Sequence, residues 1–482
     1  MIQTDSAGVQ PFSESKASLI LFMGFNAALL LAAALIGEPG IFFIVTALLL
    51  IVSSFLLRIK NFLEILLLLM FVFCIDLLYN YAGLFALIGG GALLFSLAIL
   101  RSLAEGGSAW RSMILKKELL LFLGVAFLSL FWGTPALTGY RLLGINFILG
   151  LVIFGITHFT VSSFRSLHFL SLLLILMLSL NALYAIFFHL KFGYRAVSLF
   201  VETPTYSGHY FVQAIALTVG AYFSPPFRKI RALLLPAMVI LLIALFLTLT
   251  RAAWLAFFFL LMLCLFFSNI PKRYLIYGGI AVGTIVSFAF IVLSADTFGI
   301  MLKSRLATDV QSANLSIGSI AFRILLWQSA WELFLQNPIL GIGFDNFVVL
   351  NALTPSFPIV RALGGADLYV HNIYLEILAE MGLVGFAVFA MLIVVTYKRI
   401  AYLLRHMKQH EYRFLLLGYG GVLSLWFFMG LSEAALYTPV TAIFFFFLLG
   451  IISGIHKIVQ HEGLIFISSS QLEGKSNDEN CN

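Results

Sequence analysis

Long apolar runs separated by short polar breaks set the pattern of this chain. A helix that crosses a bilayer needs about 20 mostly apolar residues. Runs of this kind fall at 18–36, 41–57, 62–80, 82–100, 119–138, 142–160, 168–190, 210–223, 232–249, 252–268, 274–294, 374–396, 414–431 and 436–455. The pattern predicts an all-α, polytopic membrane protein with about 14 transmembrane helices, or 12 at the lower bound. The shortest run is 210–223, and 232–249 is joined to 252–268 by almost nothing. A long outer segment at 295–373 interrupts the rhythm. Within it Ile320, Ile324, Trp327, Trp331 and Phe334 recur at helical spacing, and Gln336-Asn337-Pro338 closes that helix. Two tryptophans on one stripe predict a helix lying at the membrane interface. Gly341-Ile342-Gly343 then predicts a turn. The expected division is a cytoplasmic start at 1–17, transmembrane helices 1–11 at 18–294, a periplasmic loop at 295–373, helices 12–14 at 374–455, and a cytoplasmic polar tail at 456–482.

Charge gives the orientation. Only 10% of residues are charged and 62% are hydrophobic, against about 25% charged in soluble domains, which excludes a soluble protein. Lysine and arginine gather on the cytoplasmic side of membrane proteins. With the N-terminus inside and the runs alternating, 20 of the 28 basic residues fall on the cytoplasmic side and 8 outside. That bias predicts an even number of spans with both termini in the cytoplasm. The net charge of +7 then points to anionic lipid headgroups, with no nucleic acid partner implied. Cys74, Cys264 and Cys481 suggest no disulfide framework. The first 17 residues lack a basic start and cleavage site, so the first apolar run is expected to stay as an anchor.

The eight outer basic residues work against orientation and therefore need another reason. Arg251 sits at the turn between two runs. Its bland role is a snorkelling anchor beside Trp254; its functional role is a forked phosphate contact. Arg323 lies on the outer helix, where a solvated face and a ligand contact are equally open. Arg195, Arg305 and Arg361 are further outer cations. His371-Asn372 stands where the outer segment enters an apolar run, with Glu376 and Glu380 following on one helical face. A lone histidine there is more often a cap, and the carboxylates could simply bond within the bundle. Intramembrane carboxylates are nevertheless rare and default to functional hypotheses. Together these residues describe a basic pocket with one titratable base at the membrane face. That combination suits a lipid-linked phosphate donor, because a phosphoryl leaving group needs cations and an attacking hydroxyl needs a base. No metal-spaced cluster, Walker loop or Gly-x-Ser-x-Gly elbow is present.

Four segments carry a family resemblance: Thr248-Leu249-Thr250-Arg251-Ala252-Ala253-Trp254-Leu255; Arg323 through Asn337-Pro338-Ile339-Leu340-Gly341-Ile342-Gly343-Phe344-Asp345-Asn346-Phe347; His371-Asn372 through Gly382-Leu383-Val384-Gly385; and, more weakly, Thr203-Pro204-Thr205-Tyr206-Ser207-Gly208. In that order they resemble the O-antigen ligase and polymerase superfamily, over roughly residues 200 to 430. The resemblance implies a class-C-type glycosyltransferase of the bacterial cytoplasmic (inner) membrane, active on its periplasmic face. The donor would be an undecaprenyl-diphosphate-linked glycan, and the acceptor a glycolipid, a glycan or a protein, with membrane lipids as neighbours. It implies catalytic roles for His371, Arg251 and Arg323, and no metal, nucleotide sugar or other cofactor. Arg195, Arg305, Arg361, Glu376 and Asn372 are the further substrate-binding candidates. Two departures stand out: the Thr203–Gly208 segment lacks an asparagine often found in relatives, and the ligases typically have 12 spans.

An O-antigen ligase that transfers to lipid A core is the preferred reading. A polysaccharide polymerase and a protein O-oligosaccharyltransferase share the same motifs. From a different class, a polytopic transporter would suit the architecture. Transporters often carry inverted repeats and midplane charges, however, and here no repeat is found and the charges collect outside. A structural scaffold would not need Arg251, Arg323 and His371 together.

Overall fold

The computed structural model describes residues 69, 112–133, 143–199, 203–267, 319–350, 354 and 369–462. All of them belong to one compact unit, Leu67–Asn482. The runs at 18–36, 41–57, 82–100 and 274–294, nearly all of 62–80, most of the polar tail, and Arg305 and Arg361 lie outside the described residues.

Helices are the regular elements of the described residues, with no strand among them. The helices are α1 (Lys116–Ser129), α2 (Leu149–Thr160, entered through a π-helical turn Leu143–Ile148), α3 (Phe164–Phe192), α4 (Pro204–Phe223), α5 (Arg231–Leu247, preceded by a 3-10 turn Pro225–Ile230), α6 (Arg251–Phe267), α7 (Ser319–Gln336), α8 (Phe347–Leu350), α9 (Ile373–His406), α10 (Arg413–Met429) and α11 (Pro439–His461). Local chemistry sets several ends. Ser163 and Ser166 form a reciprocal capping box at the start of α3, and Gly193 ends it in the left-handed conformation. Pro204 and Pro439 occupy the first positions of α4 and α11, where a missing N–H costs nothing.

Among the described residues, four stretches are long and apolar enough to cross a membrane: Phe164–Phe192, Pro225–Leu247, Ile373–His406 and Pro439–His461. Shorter apolar helices occupy 146–160, 251–264 and 413–429. The helix α11 is the central post. Every residue from Val440 to Val459 is buried, as expected of a helix that is apolar on all sides. It packs on α2, while α4 packs on α5 and α10. Backbones meet closely at Gly220 and Gly418, where a Cβ on Gly220 would lie 2.7 Å from Gly418 Cα. Such small-residue contacts are the usual way helices approach in lipid. By contrast α5 buries only Leu234, Leu241, Ala244 and Leu245 and turns the rest of its apolar surface outward.

Two expectations change. The interface stripe on α7 is split: Leu326, Ala330 and Leu333 are buried against Ile342, Phe347, Val370 and Ala379, with Trp327 partly buried beside them. Ile324, Trp331 and Leu335 point outward. This helix is apolar on nearly all sides, so periodicity alone could not choose its inner face.

The run expected as one span at 374–396 is longer, and it is broken. Inside α9, Gly382 takes φ 63° and ψ −164°. Residues 338–343 fill the break. Ile342 N donates to Ala379 O at 3.0 Å and Gly343 N to Glu380 O at 2.8 Å; Leu383 N donates to Pro338 O at 2.9 Å and Val384 N to Ile339 O at 3.2 Å. The groups orphaned by the kink are thus paired with loop backbone. Glycine is required where the two strands of chain touch. A Cβ on Gly341 would lie 2.6 Å from Gly382 N, and one on Gly382 would lie 2.6 Å from Gly341 N.

Candidate active site

Two of the three predicted catalytic residues meet at a carboxylate that the sequence reading did not single out. The loop between α10 and α11 carries Glu433, with a side chain only 3% exposed. Arg323 Nη2 from α7 donates to Glu433 Oε1 at 2.8 Å. His371 Nδ1 lies 3.4 Å from Glu433 Oε2. The Arg323 and His371 side chains are 27% and 26% exposed, so both reach the surface while sharing a buried anion. Burial by itself would raise the Glu433 pKa; His371 and Arg323 outweigh it and hold the carboxylate below its ordinary range.

Local backbone explains why these groups converge. Ile373 N donates to Gly430 O at 2.8 Å, docking the start of α9 on the loop that carries Glu433. A side chain at Gly430 would press into Ile373. Asn372 caps α9, its Oδ1 accepting from Tyr374 N at 3.0 Å and Leu375 N at 3.2 Å. His371 precedes the cap with φ 54°. A non-glycine residue in this region carries strain, and such strain clusters at functional sites.

Arg251 is the first residue of α6 and is exposed. Among the described residues none holds its guanidinium by a hydrogen bond or ion pair. It nevertheless stands at the same end of the bundle as Glu433, because the first turn of α4 touches both neighbourhoods. Thr250 Oγ1 donates to Pro204 O at 3.1 Å, and the Tyr206 hydroxyl pairs with Thr438 Oγ1 at 2.8 Å. His209, on the next turn of α4, is 1% exposed, and among the described residues neither of its ring nitrogens has a hydrogen-bond partner.

The other substrate-binding candidates are placed as follows. The Arg195 guanidinium bonds the turn just before Arg251. Asn372 has the capping role above. Glu376 is 0% exposed and accepts from Val370 N at 3.3 Å. Arg305 and Arg361 lie outside the described residues. Glu380 acts as a latch: its oxygens accept from Asp345 N at 2.8 Å, from Phe347 N at 3.0 Å, and from the Tyr437 hydroxyl. It thereby fastens the Gly341–Phe347 turn onto α9 and the loop that holds Glu433. Burial, followed by the nearby carboxylates, pushes the Tyr369 and Tyr437 hydroxyls up, so both remain proton donors at neutral pH.

An all-helical membrane protein whose one end joins an arginine, a histidine and a buried carboxylate is the class defined by this arrangement. Residues 236–390 match the family model described as O-antigen ligase, and this supports the O-antigen ligase superfamily resemblance. The match spans Arg251, Arg323 and His371 and stops before Glu433. No curated protein matches the chain. A signal for Glu433 was nonetheless present: it is the sole acidic residue between Glu411 and Glu462, and a carboxylate flanked by membrane-grade runs is a functional candidate by default.

Proposed function

We propose that this chain is a glycosyltransferase of the bacterial inner membrane. It moves a glycan from undecaprenyl diphosphate onto an acceptor at the periplasmic face, most specifically as an O-antigen ligase acting on lipid A core. The observation that carries this reading is the sharing of Glu433 by Arg323 and His371. With Nδ1 turned to Glu433, the His371 ring offers Nε2 to an acceptor hydroxyl. In the proposed step that nitrogen takes the hydroxyl proton as the acceptor oxygen bonds to the anomeric carbon. The bond from that carbon to the diphosphate oxygen breaks, its electron pair leaves with the carrier diphosphate, and Arg251 and Arg323 receive the charge. Attack opposite the leaving group inverts the anomeric centre. Arg305 and Arg361 add positive charge for the diphosphate by their place in the outer segment.

General-base catalysis typically contributes about 10²–10⁴-fold. Purified His371→Gln, supplied with lipid-linked donor, is therefore expected to lose turnover by that order while still binding donor. Near-normal turnover would remove His371 as the base. A glycan profile of a deletion strain tests the reaction itself. Long chains left on the carrier support the ligase, whereas single repeat units would show a polymerase instead.

A further inference from the structure

Arg195 lies between α3 and α4, far in sequence from Arg251, yet its side chain is built into the turn that delivers Arg251. Its Nε donates to Thr248 O at 2.7 Å, and Nη2 donates to Leu249 O at 3.1 Å and Thr250 Oγ1 at 2.8 Å. The adjacent backbone adds Ala196 N to Leu247 O at 2.9 Å. From the other side the turn is held by the first turns of α4. Thr250 Oγ1 donates to Pro204 O at 3.1 Å, and Gly208 lies so close that a Cβ there would be 2.9 Å from Thr248 Oγ1 and 2.8 Å from Ala253 Cβ. The weak Thr203–Gly208 motif thus has a physical purpose as one wall of this grip.

The turn needs holding. Leu249 adopts φ 53°, in the left-handed region where a Cβ is sterically disfavoured. Two residues later the chain enters α6 with Arg251 in its first position, so the turn dihedrals decide where that guanidinium stands.

We propose that Arg195 is a positioning residue: by clamping residues 248–250 it fixes Arg251 for the donor diphosphate. This rests on the reading of Arg251 given above, and it differs from the expectation that Arg195 itself touches substrate. Misplacing a reacting group by about 1 Å can cost about 100-fold, so the clamp has a measurable consequence.

The test uses full-length protein in lipid nanodiscs, with Arg195→Gln, Thr250→Val, Leu249→Gly and the double variant Arg195→Gln/Leu249→Gly. Backbone hydrogen exchange over residues 249–254, kcat and KM for a lipid-linked donor, and the unfolding temperature are measured. Arg195→Gln is expected to speed exchange in this stretch and to lower kcat by up to about 100-fold with little change in unfolding temperature. Thr250→Val, which keeps the Arg195 charge, moves both readouts the same way by less, and it serves if Arg195→Gln does not fold. Leu249→Gly removes the steric penalty of the turn and restores part of both readouts in the double variant. Unchanged exchange in Arg195→Gln overturns the proposal. So does restored exchange without restored kcat, or a silent Thr250→Val, since each would place Arg195 on the substrate. If wild-type protein transfers no glycan, the functional reading fails, while the exchange data still report on the clamp.

Discussion

Replacing Glu433 with glutamine strikes the point where the site is joined. Glutamine keeps the shape and can still accept one hydrogen bond from Arg323, but it removes the negative charge shared with His371. A hydrogen bond to a charged group contributes roughly 1.5–3 kcal/mol. Arg323 and His371 are each about a quarter exposed, so water replaces part of what is lost and the lower half of that range, roughly 1.5–2 kcal/mol, applies. If that energy holds the base and the cation in place, turnover falls about 10- to 30-fold. Purified Glu433→Gln in nanodiscs, assayed for kcat with a fluorescent lipid-linked donor, gives the number. Glu433→Asp, shorter but charged, is expected to recover part of it. The acid side offers a second readout. The folded-state pKa of Glu433 is depressed below its ordinary 4.5, so the folded protein binds fewer protons there than the unfolded chain. Its stabilising contribution is complete above about pH 5 and is lost as pH falls below 4.5 through the folded value. Wild-type unfolding temperature is therefore expected to drop more steeply than that of Glu433→Gln in that range. Wild-type kcat together with a parallel acid profile in Glu433→Gln would refute the reasoning.

The break in α9 and the orientation give two further predictions. Gly382→Ala puts a Cβ 2.6 Å from Gly341 N on a backbone at φ 63°. It should cost more than about 4 kcal/mol and abolish a monodisperse size-exclusion peak, whereas Gly420→Ala, whose new Cβ meets only Ile400 Cγ2 at 3.7 Å, should leave the peak intact. After Cys74, Cys264 and Cys481 are replaced by serine, a membrane-impermeant maleimide is expected to label Gln336→Cys in intact cells and Glu411→Cys only after permeabilisation; the reverse pattern would invert the proposed topology.

Apolar run length made the helices legible: α3, α5, α6 and α10 lie within a few residues of their expected ranges, and α11 runs six residues past its expected end. The fold was less legible where backbone conformation departs from the local pattern. Nothing in the apolar spacing around Gly382 announces a break, because the compensating hydrogen bonds come from residues 338–343, some forty positions earlier. Arg323 and His371 stand out in the sequence because a cation and a base close to long apolar runs are conspicuous. Glu433 is a lone acid in a short loop, and nothing local marks its role because its partners lie 110 and 62 positions away. Charge and polarity mark Asn372 and Arg195 as candidates but do not reveal that Asn372 caps α9 or that Arg195 bonds the 248–250 turn. Whether a polar side chain serves backbone or ligand depends on three-dimensional neighbours, which sequence spacing does not supply.

The loop inserted at Gly382 also bears on how such proteins can be recombined. The N-terminal piece of α9, with Glu376 and Glu380, is spliced to the remainder of the helix through residues 338–343 rather than by an unbroken ladder of its own. The two signature stretches are therefore one mechanical part stored in two places. A chimaera whose crossover falls between 343 and 379 takes lock from one parent and key from the other, and their glycine-to-glycine fit must match to fractions of an ångström. Crossovers before 338 or after 385 carry the part across whole, and those are the seams along which domains of this kind can be exchanged.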